Sequence, residues 1–471
     1  MNPSFRRLLG RTKPIQTIQA DSDQGEQKLA KKLTAFHLTM IGIGGIIGAG
    51  IFVLTGTAAA TKAGPGVVLS FIFSGTGCAF AGFCYAELAS TIPVAGSAYT
   101  YAYATMGELI AWIIGWDLIL EYVVASITVS IGWSGYLVKW LEGFGLLLPY
   151  EWTHGVLDGG IANLPAIALV AGITVLLVVG IKASAWATTI LVLIKLAVIL
   201  LFLVLGIPWV RPENWDPFLP FGWSGAIAGA GVIFFAYIGF DAVTTTSEET
   251  RNPQRDLPIG ILASLISCTL LYVIVALVLT GMVPYTELNH PAPVALALEM
   301  VGITWGMQLV SVGAVVGLAS VVMVMMTGQP RVFFAISRDG LLSPWVSKIH
   351  PKFQTPARAT VITGIVVALG AGTLSIEIAG EMTSIGTLFA FVVVCLGVIV
   401  LRRTRPDLRR GFTTPWNPVV PILGAIICFI MMCGLDLATW IRFIGWLFIG
   451  LIVYMTYGRH HSRLRLEDPP S

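Results

Sequence analysis

Two charged residues, Lys195 and Asp241, each lie in the middle of a long apolar stretch. An ionised side chain in hydrocarbon costs several kcal/mol unless it is paired, protonated or hydrated, so both residues mark an ion or proton pathway. Lys195 lies about ten residues into its stretch, roughly 15 Å from either surface, which is too deep for its amine to reach water. Burial disfavours the charged amine, and Lys195 is therefore predicted to gain and lose a proton.

A second unusual feature is the stretch GIGGIIGAGIF, where five glycines weaken the helix: Gly42, Gly44, Gly45, Gly48 and Gly50. A nucleotide-binding fingerprint is excluded, because its spacing requires a glycine where Ile47 stands. Gly44 and Gly48 fit a groove that packs another helix. The alternative is a helix that unwinds at mid-membrane, and it requires a matching break about five segments later, as in transporters with inverted repeats.

A matching stretch occurs in the sixth apolar segment, which reads GAIAGAGVIFFAYIGFDAVTTTSEETRNP and has Gly239 midway, two residues before Asp241. At a broken helix, the freed N–H groups bind a carboxylate and the freed C=O groups bind an ammonium or a cation. A zwitterionic amino acid carries both groups. The two stretches together predict two broken helices around one cavity that takes an amino acid.

The elements that carry these residues are predicted to be membrane helices. Hydrophobic residues make up 56% of the 471, charged residues make up 11%, and the mean hydropathy is +0.84, so a water-soluble protein of this composition could not cover its surface. A helix needs roughly 20 apolar residues to cross about 30 Å of hydrocarbon, and about twelve such segments are predicted. They cover residues 36–61, 65–90, 97–138, 163–181, 186–207, 223–247, 257–282, 304–337, 359–377, 382–402, 418–438 and 440–457. The third and eighth are too long for one crossing, and a break at Gly107 is expected in the third.

Lys and Arg residues are distributed unevenly between the predicted loops. If the amino terminus is cytoplasmic, the outer loops hold only Lys62, Lys139, Arg211 and Arg442 of the 28 Lys and Arg residues, and Lys195 lies within a span. The positive-inside rule then requires an even number of spans and places both termini in the cytoplasm. The basic loops adjoin apolar segments, which favours anionic lipid as their partner, and no nucleic acid is expected.

Enzymatic chemistry has no support in the sequence. It contains no Walker motif, no GxSxG and no HExxH. The six cysteines all fall within predicted spans without a CxxC pair, and no histidine has the spacing of a metal ligand. We therefore predict that the protein is not an enzyme and needs neither a metal nor a cofactor.

Four motifs resemble the amino acid, polyamine and organocation superfamily, and most closely a bacterial homologue of its cationic amino acid transporter branch. The resemblance extends from about Leu33 to Tyr457. The motifs are CYAELASTIPVAGSAYTYAYATMGELIAWIIGWDLILEY, GFDAVTTTSEETRNPQRDLPIGI, GQPRVFFAISRDGLL and SIGTLFAF.

The resemblance implies an all-α membrane fold of the LeuT-like type, with helices 1 and 6 broken. Two five-helix inverted repeats are expected at 36–207 and 223–402. Helices 11 and 12 then follow at 418–457. Residues 1–35 and 458–471 are expected to be cytoplasmic tails.

The resemblance also implies a substrate site on the broken helices. In that family, backbone N–H groups that correspond to Ala49 and Gly50 hold the substrate carboxylate. The carbonyls of Ile46, Phe235 and Ile238 correspond to those that hold the ammonium, and the Phe235 ring is expected to cover the substrate.

The same resemblance suggests how transport is driven. In proton-coupled relatives, a lysine on the fifth helix can occupy the place where sodium-coupled relatives bind their ion. The hypothesis is that Lys195 replaces a sodium ion and that Asp241 links protonation to closure of the site.

Two further residues have alternative roles. Glu121, which shares a helix face with Asp117, is either the counter-ion of a cationic substrate or a group that neutralises Lys195 or a polar wall. Met325 either packs in the interior or limits the depth of the pocket. In the second case, small neutral amino acids are accepted and arginine is hindered.

The sequence therefore predicts a secondary active transporter that moves a cationic or small neutral L-amino acid across the plasma membrane by alternating access, with proton coupling and without sodium. An amino acid exchanger without ion coupling and a non-transporting membrane sensor are the alternatives. A channel is disfavoured, because the spans carry isolated polar residues instead of a continuous polar stripe.

Overall fold

The computed structural model describes residues 12–14, 33–94, 97–180, 185–353 and 355–464. Most of the predicted tails, 1–35 and 458–471, therefore lies outside the described residues. The described part is helical, and its one β interaction is an isolated bridge between Leu33 and Thr250.

Sixteen α-helices are labelled here in chain order. The first half contains α1 (Ala35–Ile46), α2 (Thr55–Ala58), α3 (Val67–Thr91), α4 (Ser97–Thr105), α5 (Glu108–Glu142), α6 (Leu164–Val179), α7 (Ala185–Gly206) and α8 (Gly222–Ile233). The second half contains α9 (Pro253–Met282), α10 (Pro293–Met300), α11 (Thr304–Arg338), α12 (Ala357–Thr373), α13 (Ile376–Thr404), α14 (Val419–Cys433), α15 (Leu437–Val453) and α16 (Arg459–His461). Short π-helical turns, Gly50–Leu54 and Ala59–Ala63, flank α2.

Several of these helices can cross a membrane. Seven helical stretches in the described residues are long and apolar enough to do so, and five shorter apolar helices accompany them. Side chains on the outer faces of α14 and α15, such as Phe429 and Phe448, are exposed and apolar, as a lipid-facing surface requires. The chain is an all-helical membrane protein with several crossings.

The predicted break in the third segment is confirmed. The helix α4 ends at Thr105, Gly107 has φ of 100°, and α5 starts at Glu108. The eighth segment instead forms the single helix α11 of 35 residues. The structure adds a helix that was not predicted, Pro293–Met300, whose eight residues are too few to span a membrane.

Helix α5 lies at the centre of the described structure, where it packs most extensively against α11 and also against α13. Helix α9 packs against α3 on one side and α1 on another. These long helices enclose α1 and α8, the two short helices whose ends form the site described next.

Candidate functional site

The first break follows α1. The regular helix stops at Ile46, and Ile47 adopts an extended conformation with φ of −72° and ψ of 98°. Helical winding resumes at Ala49 and continues as the π-helical turn from Gly50. Because the i to i−4 pattern is interrupted here, backbone carbonyls at the end of α1 are free to bind other groups.

The second break follows α8. The helix stops at Ile233, a 3₁₀ turn covers Phe234–Tyr237, and Ile238 is extended with ψ of 134°. Gly239 then has φ of 117°, which side-chain-bearing residues rarely adopt. A 3₁₀ helix from Asp241 to Glu249 follows.

The two breaks touch through their backbones. A Cβ atom on Gly239 would lie 2.6 Å from the carbonyl carbon and oxygen of Gly45, and a Cβ atom on Gly50 would lie 2.2 Å from Cα of Ala236. Neither distance is possible for real atoms without a backbone shift. The glycine-rich stretch therefore allows two broken helices to meet at van der Waals distance.

A small cavity of about 10 Å³ remains between the breaks. One water molecule needs about 10–15 Å³ of such space. The cavity in this conformation is therefore far too small to hold an amino acid. Its lining combines both breaks with side chains from α5 and α11: Gly45, Ile46, Gly48, Ala49, Val129, Phe235, Ile238, Val321 and Met325. All the side chains in this lining are apolar.

Most of the predicted substrate-binding residues meet at this cavity. Ile46, Ala49, Phe235, Ile238 and Met325 line it. The other two do not. Gly50 packs on Ala236, and Glu121 lies outside the lining.

Lys195 on α7 reaches the first break from the opposite side. Its side chain is only 1% exposed, and its stem packs against Gly317 of α11. Its Nζ atom donates to the carbonyl oxygens of Gly44 at 2.8 Å and Ile47 at 3.0 Å. The amine therefore binds the freed carbonyls at the negative end of the α1 dipole, where a cation is stabilised.

Asp241 and Glu121 form a separate buried acidic group. Asp241 accepts a hydrogen bond from Ser97 Oγ at 3.3 Å, and Glu121 interacts with Asp241 and with Thr387 of α13. Both residues are 4% exposed. Asp117, one turn before Glu121, is completely buried, and neither of its oxygens has a hydrogen-bond partner among the described residues.

Tyr272, the one tyrosine of α9, was not among the predicted site residues. Its hydroxyl lies 2.8 Å from the carbonyl oxygen of Ile46 and 3.1 Å from that of Ala236, so it contacts both broken segments. The available signal was a phenol in an otherwise apolar span, since a buried hydroxyl needs a polar partner. Val129 carries no comparable signal, because it is one of many apolar residues on α5.

Comparisons with known proteins identify the family of this chain. A family model described as amino acid permease matches residues 33–458. The chain is 48% identical over 458 residues to the methylthioribose transporter of Bacillus subtilis (strain 168), and the match covers 97% of this chain and 99% of that protein. It is 47% identical over 461 residues to the branched-chain amino acid permease BcaP of the same organism, with coverage of 96% and 98%.

A more distant relative belongs to plants. The chain is 38% identical over 407 residues to the vacuolar cationic amino acid transporter 4 of Arabidopsis thaliana, with coverage of 85% of this chain and 68% of that protein. The resemblance inferred from the four motifs is thereby confirmed at the family level. The chain belongs to the amino acid permease family, within the amino acid, polyamine and organocation superfamily.

Proposed function

We propose that the protein is a secondary transporter that moves a small neutral L-amino acid across the plasma membrane by alternating access, driven by protons and independent of sodium. One observation carries this proposal: two broken helices enclose a cavity, and a buried lysine amine binds the carbonyls that one break releases. A cavity bounded by backbone polar groups and apolar side chains suits a zwitterion with an apolar side chain.

The proposed architecture has twelve spans, with inverted repeats at 36–207 and 223–402 and two further helices at 418–457. Helix packing supports it, because the contacts recur when each helix is exchanged for its counterpart in the other repeat. The contact between α1 and α9 corresponds to that between α8 and α3, and the contact between α5 and α13 corresponds to that between α11 and α7. Helices α3 and α9, α5 and α11, and α6 and α12 pair directly, as counterparts near a pseudo-two-fold axis would.

Both ends of the described chain are proposed to be cytoplasmic. Lys13 and Arg463 both contact Asp339, which supports an even number of crossings because the two ends then share one side of the membrane. The basic loops identified in the sequence lie on that side under the positive-inside rule, where anionic lipid headgroups are their proposed partners.

Substrate binding is proposed to use the backbone at both breaks. The N–H groups of Ala49 and Gly50 would hold the carboxylate, and the carbonyls of Ile46, Phe235 and Ile238 would hold the ammonium, with the Phe235 ring as the lid. The hydroxyl of Tyr272 now lies near the Ile46 carbonyl, so the substrate ammonium must share or replace that contact. Gly50 also packs closely on Ala236, so the two broken segments must separate to admit an amino acid.

The side chain of the substrate is proposed to face Val129, Val321 and Met325. These three apolar side chains cannot neutralise a guanidinium, and a buried cation without a partner is strongly disfavoured. A neutral substrate therefore fits better than arginine. Glu121 is outside the lining, and we assign it to the acidic group with Asp241 instead of to the substrate.

Proton coupling is proposed to act through Lys195. A protonated amine stabilises the carbonyl end of α1 as a bound cation would, and a neutral amine does so less strongly. Loss of the proton would therefore loosen the first break and change the free energy between the closed and open states. Asp241 would link this change to the second broken segment, because it begins the 3₁₀ helix there.

Uptake into liposomes tests the proposal. Purified protein should accumulate a small neutral amino acid when the outside is acidic and sodium is absent, and a proton ionophore should abolish accumulation. Uptake that requires sodium would overturn proton coupling. Exchange of internal for external amino acid without net accumulation would favour an exchanger, and binding without any flux would favour a sensor.

Thermal-shift measurements test the substrate class independently of flux. A ligand that binds only the folded state stabilises the protein by about 2.7 kcal/mol at a hundred times its Kd. Alanine and the branched-chain amino acids should raise Tm, and arginine should not. A shift produced by arginine alone would contradict the assignment of a neutral substrate.

A further inference from the structure

Two distant parts of the chain meet at Asp339, directly after α11. One carboxylate oxygen accepts from Nζ of Lys13 at 2.7 Å, and the other accepts from the hydroxyl of Tyr99 at 2.7 Å. The backbone carbonyl of Asp339 accepts from the N–H of Arg463 at 3.2 Å. Residues 12–14 and the residues that follow α15 are thus bound to the same turn.

A second carboxylate, Glu108, joins the same network at the start of α5. One oxygen accepts from the hydroxyl of Tyr454 at 2.9 Å. The other accepts from the hydroxyls of Ser462 and, at 3.4 Å, of Tyr103. The carbonyl of Tyr103 accepts from the N–H of Lys13 at 3.1 Å, which closes the connection between the two carboxylates.

These groups are buried although they lie near the ends of helices. Lys13 is 8% exposed, Asp339 is 5% exposed and Glu108 is 3% exposed. A buried charge that loses its partner is costly, so such a network opens as a unit or remains closed. The network can therefore have two discrete states, which a hydrated surface ion pair would not have.

The short helix α4 connects this network to the proposed coupling residues. Its first residue, Ser97, donates to Asp241, and its later residues Tyr99 and Tyr103 contact Asp339, Glu108 and the backbone of Lys13. A rigid helix of nine residues thus links the second broken segment to both chain ends. A shift at one end of α4 must be accommodated at the other.

We propose that this network is an end latch, which keeps the cavity closed toward the side where both chain ends lie. The end latch consists of Lys13, Tyr99, Tyr103, Glu108, Asp339, Tyr454 and Ser462. The end latch opens when α4 moves with Asp241, and substrate can then leave on that side. This inference rests on the proposed transport function. It adds that contacts between the two chain ends govern the opening of the cavity toward the inner side.

Hydrogen–deuterium exchange of substrate-free protein in lipid nanodiscs tests the latch without any transport. The Lys13→Ala variant removes one partner, Lys13→Arg retains the charge, and Lys348→Ala removes an exposed lysine from the loop that follows Asp339. Exchange within 97–105 should be about tenfold faster in Lys13→Ala, because the closed state loses a buried ion pair. The Arg variant and the Lys348→Ala control should match the unchanged protein.

A double-mutant cycle with Lys13→Ala, Asp339→Asn and the double variant tests whether the Lys13–Asp339 ion pair is responsible for the change in exchange. If the ion pair carries the effect, the double variant should exchange no faster than the faster single variant. Independent, additive increases would overturn the latch as one unit. Ser462→Ala provides a third arm from the other chain segment and should also accelerate exchange in 97–105.

Transport kinetics separate a latch from a merely structural contact. Opening the inner side lowers the fraction of protein that can bind substrate from outside, so KM for uptake should rise about five- to tenfold in Lys13→Ala. A structural contact would lower Tm and the amount of active protein, while KM stayed unchanged. Unchanged exchange with unchanged KM in Lys13→Ala would overturn the latch.

The two proposals fail in distinguishable ways. If the unchanged protein shows no flux, the proposed function fails whatever the exchange data show. If flux is present but the Lys13 and Ser462 variants change neither exchange nor KM, the proposed function stands and the latch fails.

Discussion

The break after Ile46 and the break at Gly239 face each other across one cavity, yet only the first is bound by an amine. Tyr272 contacts a backbone carbonyl in each broken segment, but the amine of Lys195 binds carbonyls of the first break alone. The second depends on its own backbone, because Gly239 has φ of 117° and lies in contact with Gly45.

The difference has a mechanistic consequence. A break held by an amine changes its stability when that amine changes its charge, so the proposed proton coupling would act on the first break. A break held by a glycine conformation has no titratable group of its own, and it must be influenced through Asp241, which follows it. We therefore expect the first break to respond to the driving ion and the second to provide a fixed bend.

The largest effect is expected from Gly239→Ala. The new side chain would require a strained φ and would clash with the Gly45 backbone, at a combined cost of about 3–5 kcal/mol. Uptake should be lost and Tm should fall sharply. Gly172→Ala on α6 is the control, because nothing lies within 4 Å of that position.

A comparison with Gly45→Ala separates strain from the clash. A Cβ atom there would lie 2.9 Å from the carbonyl oxygen of Gly239, but Gly45 lies within α1. Gly45→Ala should therefore reduce uptake and Tm less than Gly239→Ala does. Equal damage would mean that backbone contact, and not the bend at Gly239, holds the second break.

The second-largest effect is expected from Lys195→Met. Removal of the amine leaves the carbonyls of Gly44 and Ile47 without their donor. Because two charge-assisted hydrogen bonds are lost, proton-driven uptake should fall about a hundredfold. Lys195→Arg should restore the fold but keep the charge permanently, so its exchange activity should no longer depend on pH. Proton-driven uptake by Lys195→Met at the unchanged rate would remove the distinction between the two breaks.

Asp241→Asn should produce a smaller effect of about tenfold on proton-driven uptake. Asparagine keeps an acceptor for Ser97 but cannot become charged, so exchange should be affected less than net uptake. Asp407→Asn, whose side chain is 72% exposed, is the matched control. If exchange and net uptake fall equally, Asp241 has a structural role and does not link protons to the second break.

The last effect, a change in substrate preference, is expected at Met325 in the cavity lining. Met325→Ser shortens a lining side chain, and changes of this size in a pocket correspond to about a tenfold shift in substrate preference. Uptake of larger amino acids, including arginine, should rise relative to alanine. Met323→Ser on the same helix lies outside the cavity lining and should leave the ratio unchanged. An identical ratio in both variants would assign Met325 to packing alone.

The membrane helices and the bend at Gly107 could be predicted from the sequence because the signals are local. A span must be apolar over its whole length, and a glycine permits a positive φ. The site was less predictable. The family resemblance supplied Ile46 and Phe235, but one valine among many on α5 does not reveal that Val129 faces a cavity. Glu121 was considered for the substrate, whereas in the structure it lies outside the cavity lining and interacts with Asp241 and Thr387.

The amino-acid sequence by itself determined that the chain lies in a membrane, where its helices break, and which charges must find partners in the interior. These properties follow from the transfer of each residue out of water and from the conformational freedom of glycine, both of which are local. Only the tertiary structure decided which partners those charges find, because the contacts of Lys195 with Gly44 and of Lys13 with Asp339 join residues far apart in the chain. Such pairings depend on how complete helices pack, and no short stretch of sequence contains that information.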